Sequence, residues 1–278
     1  MFSFSTNLVR RGRLAFRLAA CAWLVATCAW AADEAATELD GCQERIEYYE
    51  LAATDLREAI GVCDRKAAEV RGAQALASND GDQAALRARQ DEVRNLEQLR
   101  LFHVNKLVDT LDKLVAEYEK LAERKKQMRL YAEALDHTCS AAEVWEDRAD
   151  VFEKAAAVGS ADSGFDAAAQ QLERAHDSYR KANNRWQEAL RLQTQLEQEN
   201  DEKQIRHHVE ASLVKSVAAL RGAASAYFNA YQYHRKRAKE QSVDIYNRNA
   251  GDGWLRTAQA QQNHERVVRA LAAMEKTL

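Results

Sequence analysis

LDGCQERIEYYELAATDLREAIGVCDRKAAEV, residues 39–70, is the stretch that decides the fold. In it Leu39, Cys42, Ile46, Tyr49, Ala53, Leu56, Ile60, Cys63, Ala67 and Val70 recur at alternating intervals of three and four. That spacing is how a helix buries one stripe against partners in a coiled coil or bundle. Not one of the 278 residues is proline, which removes a backbone donor and costs about 3 kcal/mol inside a helix. Long helices can therefore run uninterrupted. The composition agrees, with 46% hydrophobic and 30% charged residues and only 10 glycines, a balance typical of long-helix proteins.

Three turn-like breaks interrupt the helical pattern: Ser78 to Asp82, Gly159 to Gly164 and Asn247 to Gly253. They predict helices near 34–77, 83–157, 165–247 and 254–277. Short connections make consecutive helices antiparallel neighbours. The fold expected is all-α, an elongated antiparallel helical bundle or coiled coil that is four-helix at one end and tapers to a helical hairpin at the other. The second helix carries the seam Val104, Leu107, Leu111, Leu114, Tyr118, Leu121, Lys125, Met128, Ala132, Leu135, Cys139 and Ala142. The third carries Phe165, Ala168, Leu172, Ala175, Tyr179, Ala182, Trp186, Ala189 and Leu196, with a gap at Gln193. Leu213, Val217, Leu220, Ala224, Tyr227, Tyr231 and His234 resume that stripe in a new register.

Two places could interrupt these long helices. Glu197 to His208 offers only Ile205 as an apolar residue, and reads as a hinge or as a solvated stretch of straight helix. Ser140-Ala141-Ala142-Glu143 has the form of a capping box and could restart the second helix. If both breaks are real, the tapered arrangement folds up.

The first 31 residues are of another kind. Arg10, Arg11, Arg13 and Arg17 precede an apolar run from Leu18 to Ala32, and no acid occurs among them. A run of about 15 residues is short for a spanning helix and right for a signal-peptide core, and Ala29-Trp30-Ala31 supplies a small-x-small cleavage site. The expected organisation is a cleavable signal peptide over 1–31 and one helical-bundle domain over 32–278, in a secreted or periplasmic protein. A lipoprotein box at Leu18 to Cys21 and a mitochondrial presequence are the competing readings of the same segment. Nothing later in the chain reads as a transmembrane anchor. Without the leader 36 basic residues face 43 acidic ones, a balance that argues against nucleic acid or an anionic membrane as partner.

Cys42, Cys63 and Cys139 remain after the leader and all fall on seam positions, where cysteine acts as a small hydrophobe. Three buried thiols, a disulfide from Cys139 to Cys42 or Cys63, and an intermolecular bridge are all open. No zinc or redox spacing is present. Glu173-Arg174-Ala175-His176 matches one Glu-x-x-His element of di-iron bundles, but a second copy is absent. No cofactor is expected. His207 and His208, in the polar interval, read as exposed, and His103 and His234 as satisfied core or boundary residues.

The most distinctive local feature is the run Tyr227, Phe228, Tyr231 and Tyr233 followed by His234, Arg235, Lys236 and Arg237, with Trp254 close behind. Aromatic side chains among cations could hold an anionic ligand or a partner. The same residues could equally fill a bundle core and line its solvated face. No nucleophile elbow, glycine-rich phosphate loop or His-Glu-x-x-His occurs. The function expected is a non-catalytic secreted or periplasmic bundle that binds another macromolecule, with a protein as partner. The alternatives are a ligand receptor with its pocket in the four-helix end, and a self-associating rod joined through residues such as Phe152 and Phe165.

Overall fold

A computed structural model describes residues 39–75, 83–159, 164–196, 199–242 and 250–276. The leader reading over 1–31 lies outside the described residues. Those described form α-helices, and no strand occurs among them: α1 over 39–75, α2 Gln83–Gln127, α3 Tyr131–Gly159, α4 Phe165–Leu196, α5 Glu199–Ser242 and α6 Ala250–Glu275. The all-α bundle expected from the seams is the fold observed. No helix among the described residues is long and apolar enough to cross a membrane.

The chain divides into two compact units, Met1–Glu47 and Tyr48–Leu278. Of the first, the described part is the opening of α1, where Cys42 and Ile46 are buried and Arg45 Nη2 donates to Cys42 Sγ at 3.2 Å. The second holds the rest of α1 and the other five helices. The seam of residues 39–70 is realised throughout: each of its ten residues is buried or half-buried.

Within the second unit each helix runs antiparallel to the one before it, as the pairings between them show. Tyr118 donates to Glu50 at 2.5 Å and Arg100 to Asp64 at 2.6 Å, joining α2 to α1. Arg148 Nε lies 2.7 Å from Asp112 Oδ1 and Trp145 Nε1 donates to Glu119 at 3.3 Å, joining α3 to α2. Trp186 donates to Glu146 at 2.8 Å and Tyr179 to Asp150 at 2.5 Å, joining α4 to α3. Asn183 donates to the Val209 carbonyl at 2.7 Å, and His176 Nδ1 sits 3.0 Å from the Ser216 carbonyl, joining α5 to α4. Arg221 donates to Glu275 at 2.7 Å, joining α5 to α6.

The expected second and third helices are each two helices, so the taper to a single hairpin does not form. The first reversal falls at residues 128–130. Leu130 N–H donates to the Lys125 carbonyl and Arg129 N–H to the Lys126 carbonyl, both at 2.9 Å. Arg129 takes a φ of 61°. This is the Schellman ending, in which two bonds satisfy the last orphan carbonyls and one residue turns left-handed. Glycine normally fills that place, and here an arginine does. The seam records the event: Lys125 is half-buried, Met128 and Ala132 are exposed, and Leu135 is buried again. Ser140, the expected restart, is mid-helix and donates its hydroxyl to the Asp136 carbonyl. The second reversal separates Leu196 from Glu199, within the polar interval, and Trp186 stacks on His208 across it with ring centroids 4.3 Å apart.

Small side chains bring α4 and α5 together. Ala168, Ala175, Ala182 and Ala189 on one, and Ala219, Ala223, Ala226 and Ala230 on the other, are all buried. Ser212 and Ser216 are fully buried between them, with Ser216 Oγ 2.9 Å from His176 Nδ1; Ser178, also fully buried, meets α3 instead, donating to the Arg174 carbonyl and accepting from Arg148 Nη1 at 2.8 Å. Buried hydroxyls need such partners, because desolvating one without a hydrogen bond costs on the order of 1–3 kcal/mol. Phe152, expected at an exposed tip, is 3% exposed and packs with Ala149, Ala175, Tyr179 and Ala219. The Arg148 guanidinium lies over its ring. Phe165, its expected companion, is half-buried.

Candidate functional site

The aromatic and cationic run of residues 227–239 lies on the second half of α5, between α4 and α6. An α-helix advances about 100° per residue, so the run divides among three faces.

Tyr227 and His234, seven residues apart, face inward. Tyr227 is 2% exposed within a core of Ala169, Leu220, Ala223, Ala224 and Val267. Its hydroxyl donates to Glu173 Oε1 on α4 at 2.6 Å, and Arg266 on α6 reaches both oxygens of the same carboxylate at 2.7 Å. One carboxylate thus ties three helices, through a two-pronged guanidinium contact and a phenol. Burial disfavours the charge on Glu173, but the bonds from Arg266 and Tyr227 outweigh it and hold the carboxyl below its ordinary range. Burial, then the hydrogen bond to Glu173 and its charge, push the Tyr227 phenol upward. The ring therefore stays neutral and donating. His234 Nε2 lies 2.6 Å from Asp166 Oδ2 in the first turn of α4. Both residues belong to the packing of the bundle.

Phe228, Tyr231 and Arg235 form the second face, turned toward α6. Phe228 is 46% exposed, with its ring 5.6 Å from that of His264 and 6.5 Å from that of Tyr231. The Arg235 guanidinium stands 5.8 Å over the Tyr231 ring. His264 Nδ1 is 2.9 Å from the Ala224 carbonyl, which fixes the imidazole beside Phe228. The third face carries Tyr233 and Arg237. Tyr233 packs toward Phe165 on α4 at 6.3 Å, and Arg237 donates to its hydroxyl at 3.1 Å. Trp254 lies on α6 and is 44% exposed, beside the exposed Leu255.

Sequence reasoning grouped these residues but missed what anchors them. Glu173, Asp166, Arg266 and His264 come from other helices, and only Glu173 had drawn notice, as half of a metal-binding pattern. Its oxygens are taken by Arg266 and Tyr227, while His176 turns to Ser216. Among the described residues no group of three or more His, Cys, Asp or Glu is placed to hold a metal ion.

Cys42 and Cys63 are buried, Cys139 is partly exposed, and the three form no disulfide with one another. Cys139 shares a small groove with Glu143, Trp186, Ile205 and His208. His103 is half-buried on α2, with its ring edge-on to Phe102.

No family profile matches the chain, and no curated protein matches it in sequence.

Proposed function

We propose that this protein is a non-catalytic helical bundle, exported from the cell that makes it, which binds another macromolecule through its α5–α6 face. The observation that carries the reading is the set of large apolar side chains turned to solvent there: Phe228, Trp254, Leu255 and Val268, with exposures of 40% to 60%. Arg235 is exposed on the same face of α5 as Phe228 and Tyr231. Aromatic anchors accompanied by arginine are the residues that dominate binding energy in protein interfaces. The division of the 227–239 run supports the same reading, since Tyr227 and His234 hold α5 in place while Phe228 stays outside. Export rests on the Arg-rich, acid-free leader, and absence of catalysis on the lack of a recognisable reactive constellation in the sequence.

A photo-crosslinking residue placed at position 228 or 254, in cells that produce the full chain, tests it. A discrete adduct is expected at both positions and not at Val214, which is 63% exposed on α5. Equal labelling at all three positions, or none at 228 and 254, refutes the α5–α6 face. An adduct at twice the protein's own mass would replace the foreign partner with a second copy. A ligand-receptor reading draws on a different feature, the cleft between α1, α2 and α3.

A further inference from the structure

A cleft of about 500 Å³ opens between α1, α2 and α3, within the range of small-molecule sites. Its floor is apolar, made by Ile60, Val104, Leu107 and Val151. Gly61 sits in the middle of the α1 wall. A Cβ placed there would meet only the end of the Arg65 side chain, at 3.4 Å. A mid-helix glycine weakens the helix it sits in, and here its missing side chain leaves space in the cleft.

The charges around the opening are arranged in two levels. Because α1 and α3 both run antiparallel to α2, they are parallel to each other. Arg57 and Asp147 close one end, with Arg57 Nη2 2.8 Å from Asp147 Oδ2. Seven residues further along each helix, about 10 Å at helical rise, stand Asp64 and Lys154. Asp64 is taken by Arg100 at 2.6 Å. Asp150, between the levels, accepts the Tyr179 hydroxyl at 2.5 Å. Every carboxylate of the lining thus has a donor already. Lys154 is exposed and exerts only a Coulombic pull on Asp147, without a hydrogen bond. The charge left to answer is one ammonium at the mouth of an apolar slot.

We propose that this cleft binds a monoanionic amphiphile of medium chain length, a carboxylate whose head lies on Lys154 and whose tail lies along Ile60, Val104, Leu107 and Val151. An eight-carbon chain matches the distance between the two charged levels. A ligand with a cationic head would meet Arg57, Arg100 and Lys154 with no carboxylate lacking a donor. This assignment does not rest on the α5–α6 face, which lies on other helices.

Titration calorimetry of the full chain with octanoate, octylammonium and octanol tests it. Octanoate is expected to bind saturably and more tightly than the other two. Lys154→Ala should weaken it about fivefold, the range of an exposed ion pair, and leave octanol unchanged. Gly61→Leu, which fills the slot while favouring the helix, should abolish binding of all three with unchanged far-ultraviolet circular dichroism. Methyl resonances of Ile60 and Val151 in the unaltered protein should shift on adding octanoate, a readout that needs no variant. Octylammonium binding as tightly as octanoate, undiminished binding in either variant, or methyl resonances that stay put below the micelle threshold would each overturn the proposal.

Discussion

Replacing Arg129 by glycine tests the reversal between α2 and α3 by the sign of its effect. The left-handed backbone at this position costs an L side chain about 1–2 kcal/mol, and glycine removes that cost. Greater freedom of glycine in the unfolded chain takes back about 0.4–1 kcal/mol. Arg129 is exposed, so little packing is lost with its side chain. The net expectation is a protein more stable by about 0.5–1 kcal/mol. If α2 instead ran straight through residues 128–130, the same change would put glycine inside a helix and destabilise by roughly 0.8 kcal/mol. Urea unfolding followed at 222 nm decides between them, read as the midpoint at constant slope. Arg129→Val is the control: a β-branched residue is a poor fit to positive φ, so its midpoint should fall. A lower midpoint for Arg129→Gly would refute the turn and restore the single long helix.

Three further outcomes follow from the packing. Glu173→Gln should cost about 1.5 kcal/mol at neutral pH, the scale of a hydrogen bond to a charged group. The Glu173 carboxyl is held below its ordinary range when folded, so its contribution is present above the unfolded value near 4.3 and is lost as pH falls through the folded one. The gap between the two proteins should therefore close below about pH 4, and a gap constant with pH would refute the Arg266–Glu173–Tyr227 tie. Tyr227→Phe should cost about 1–2 kcal/mol, whereas Phe228→Ala, next to it but exposed, should stay within about 0.5 kcal/mol; equal losses in thermal unfolding would contradict the division of the run into faces. Gly72→Ala should stabilise by about 0.5–1 kcal/mol, because a Cβ there meets nothing within 4 Å. Gly222→Ala should gain less, since its Cβ would come 3.2 Å from Leu172 Cδ1, and a larger gain at 222 than at 72 would count against the close approach of α4 and α5.

Helical class was legible in the heptad spacing because burial and spacing are the same physical fact: no residue of the 39–70 seam is exposed. The break after Gly159 was legible for the usual reason, glycine at a helix end. The turn at Arg129 was not, because its Schellman bonds are made by backbone groups and the left-handed position is occupied by a residue that gives no turn signal. The polar interval after Glu197 announced a change without saying whether the helix bent or merely met water. At the candidate site, the sequence placed Tyr227, Phe228 and Tyr231 together but left open which would be buried. That depends on Glu173 and Arg266, 54 and 39 residues away along the chain, and no local pattern links them. The α1–α3 cleft was not legible, because Gly61 is one of three glycines in α1, with Gly41 and Gly72, and spacing alone does not say which of them borders an opening.

The reversal after every helix also bears on how the chain acquires its structure. Each helix of the Tyr48–Leu278 unit packs against its predecessor in sequence, so most of the segments to be brought together lie in consecutive helices and the entropy of closing them is small; the Arg57–Asp147 and Glu173–Arg266 pairs, 90 and 93 residues apart, are long-range exceptions. Proteins whose contacts are local in this way fold in microseconds to milliseconds. The absence of proline from the whole sequence removes the one isomerisation that would hold a fraction of molecules back for tens of seconds. Refolding from denaturant should accordingly be fast and free of a proline-limited tail, with structure able to grow one hairpin at a time from whichever pair of helices meets first.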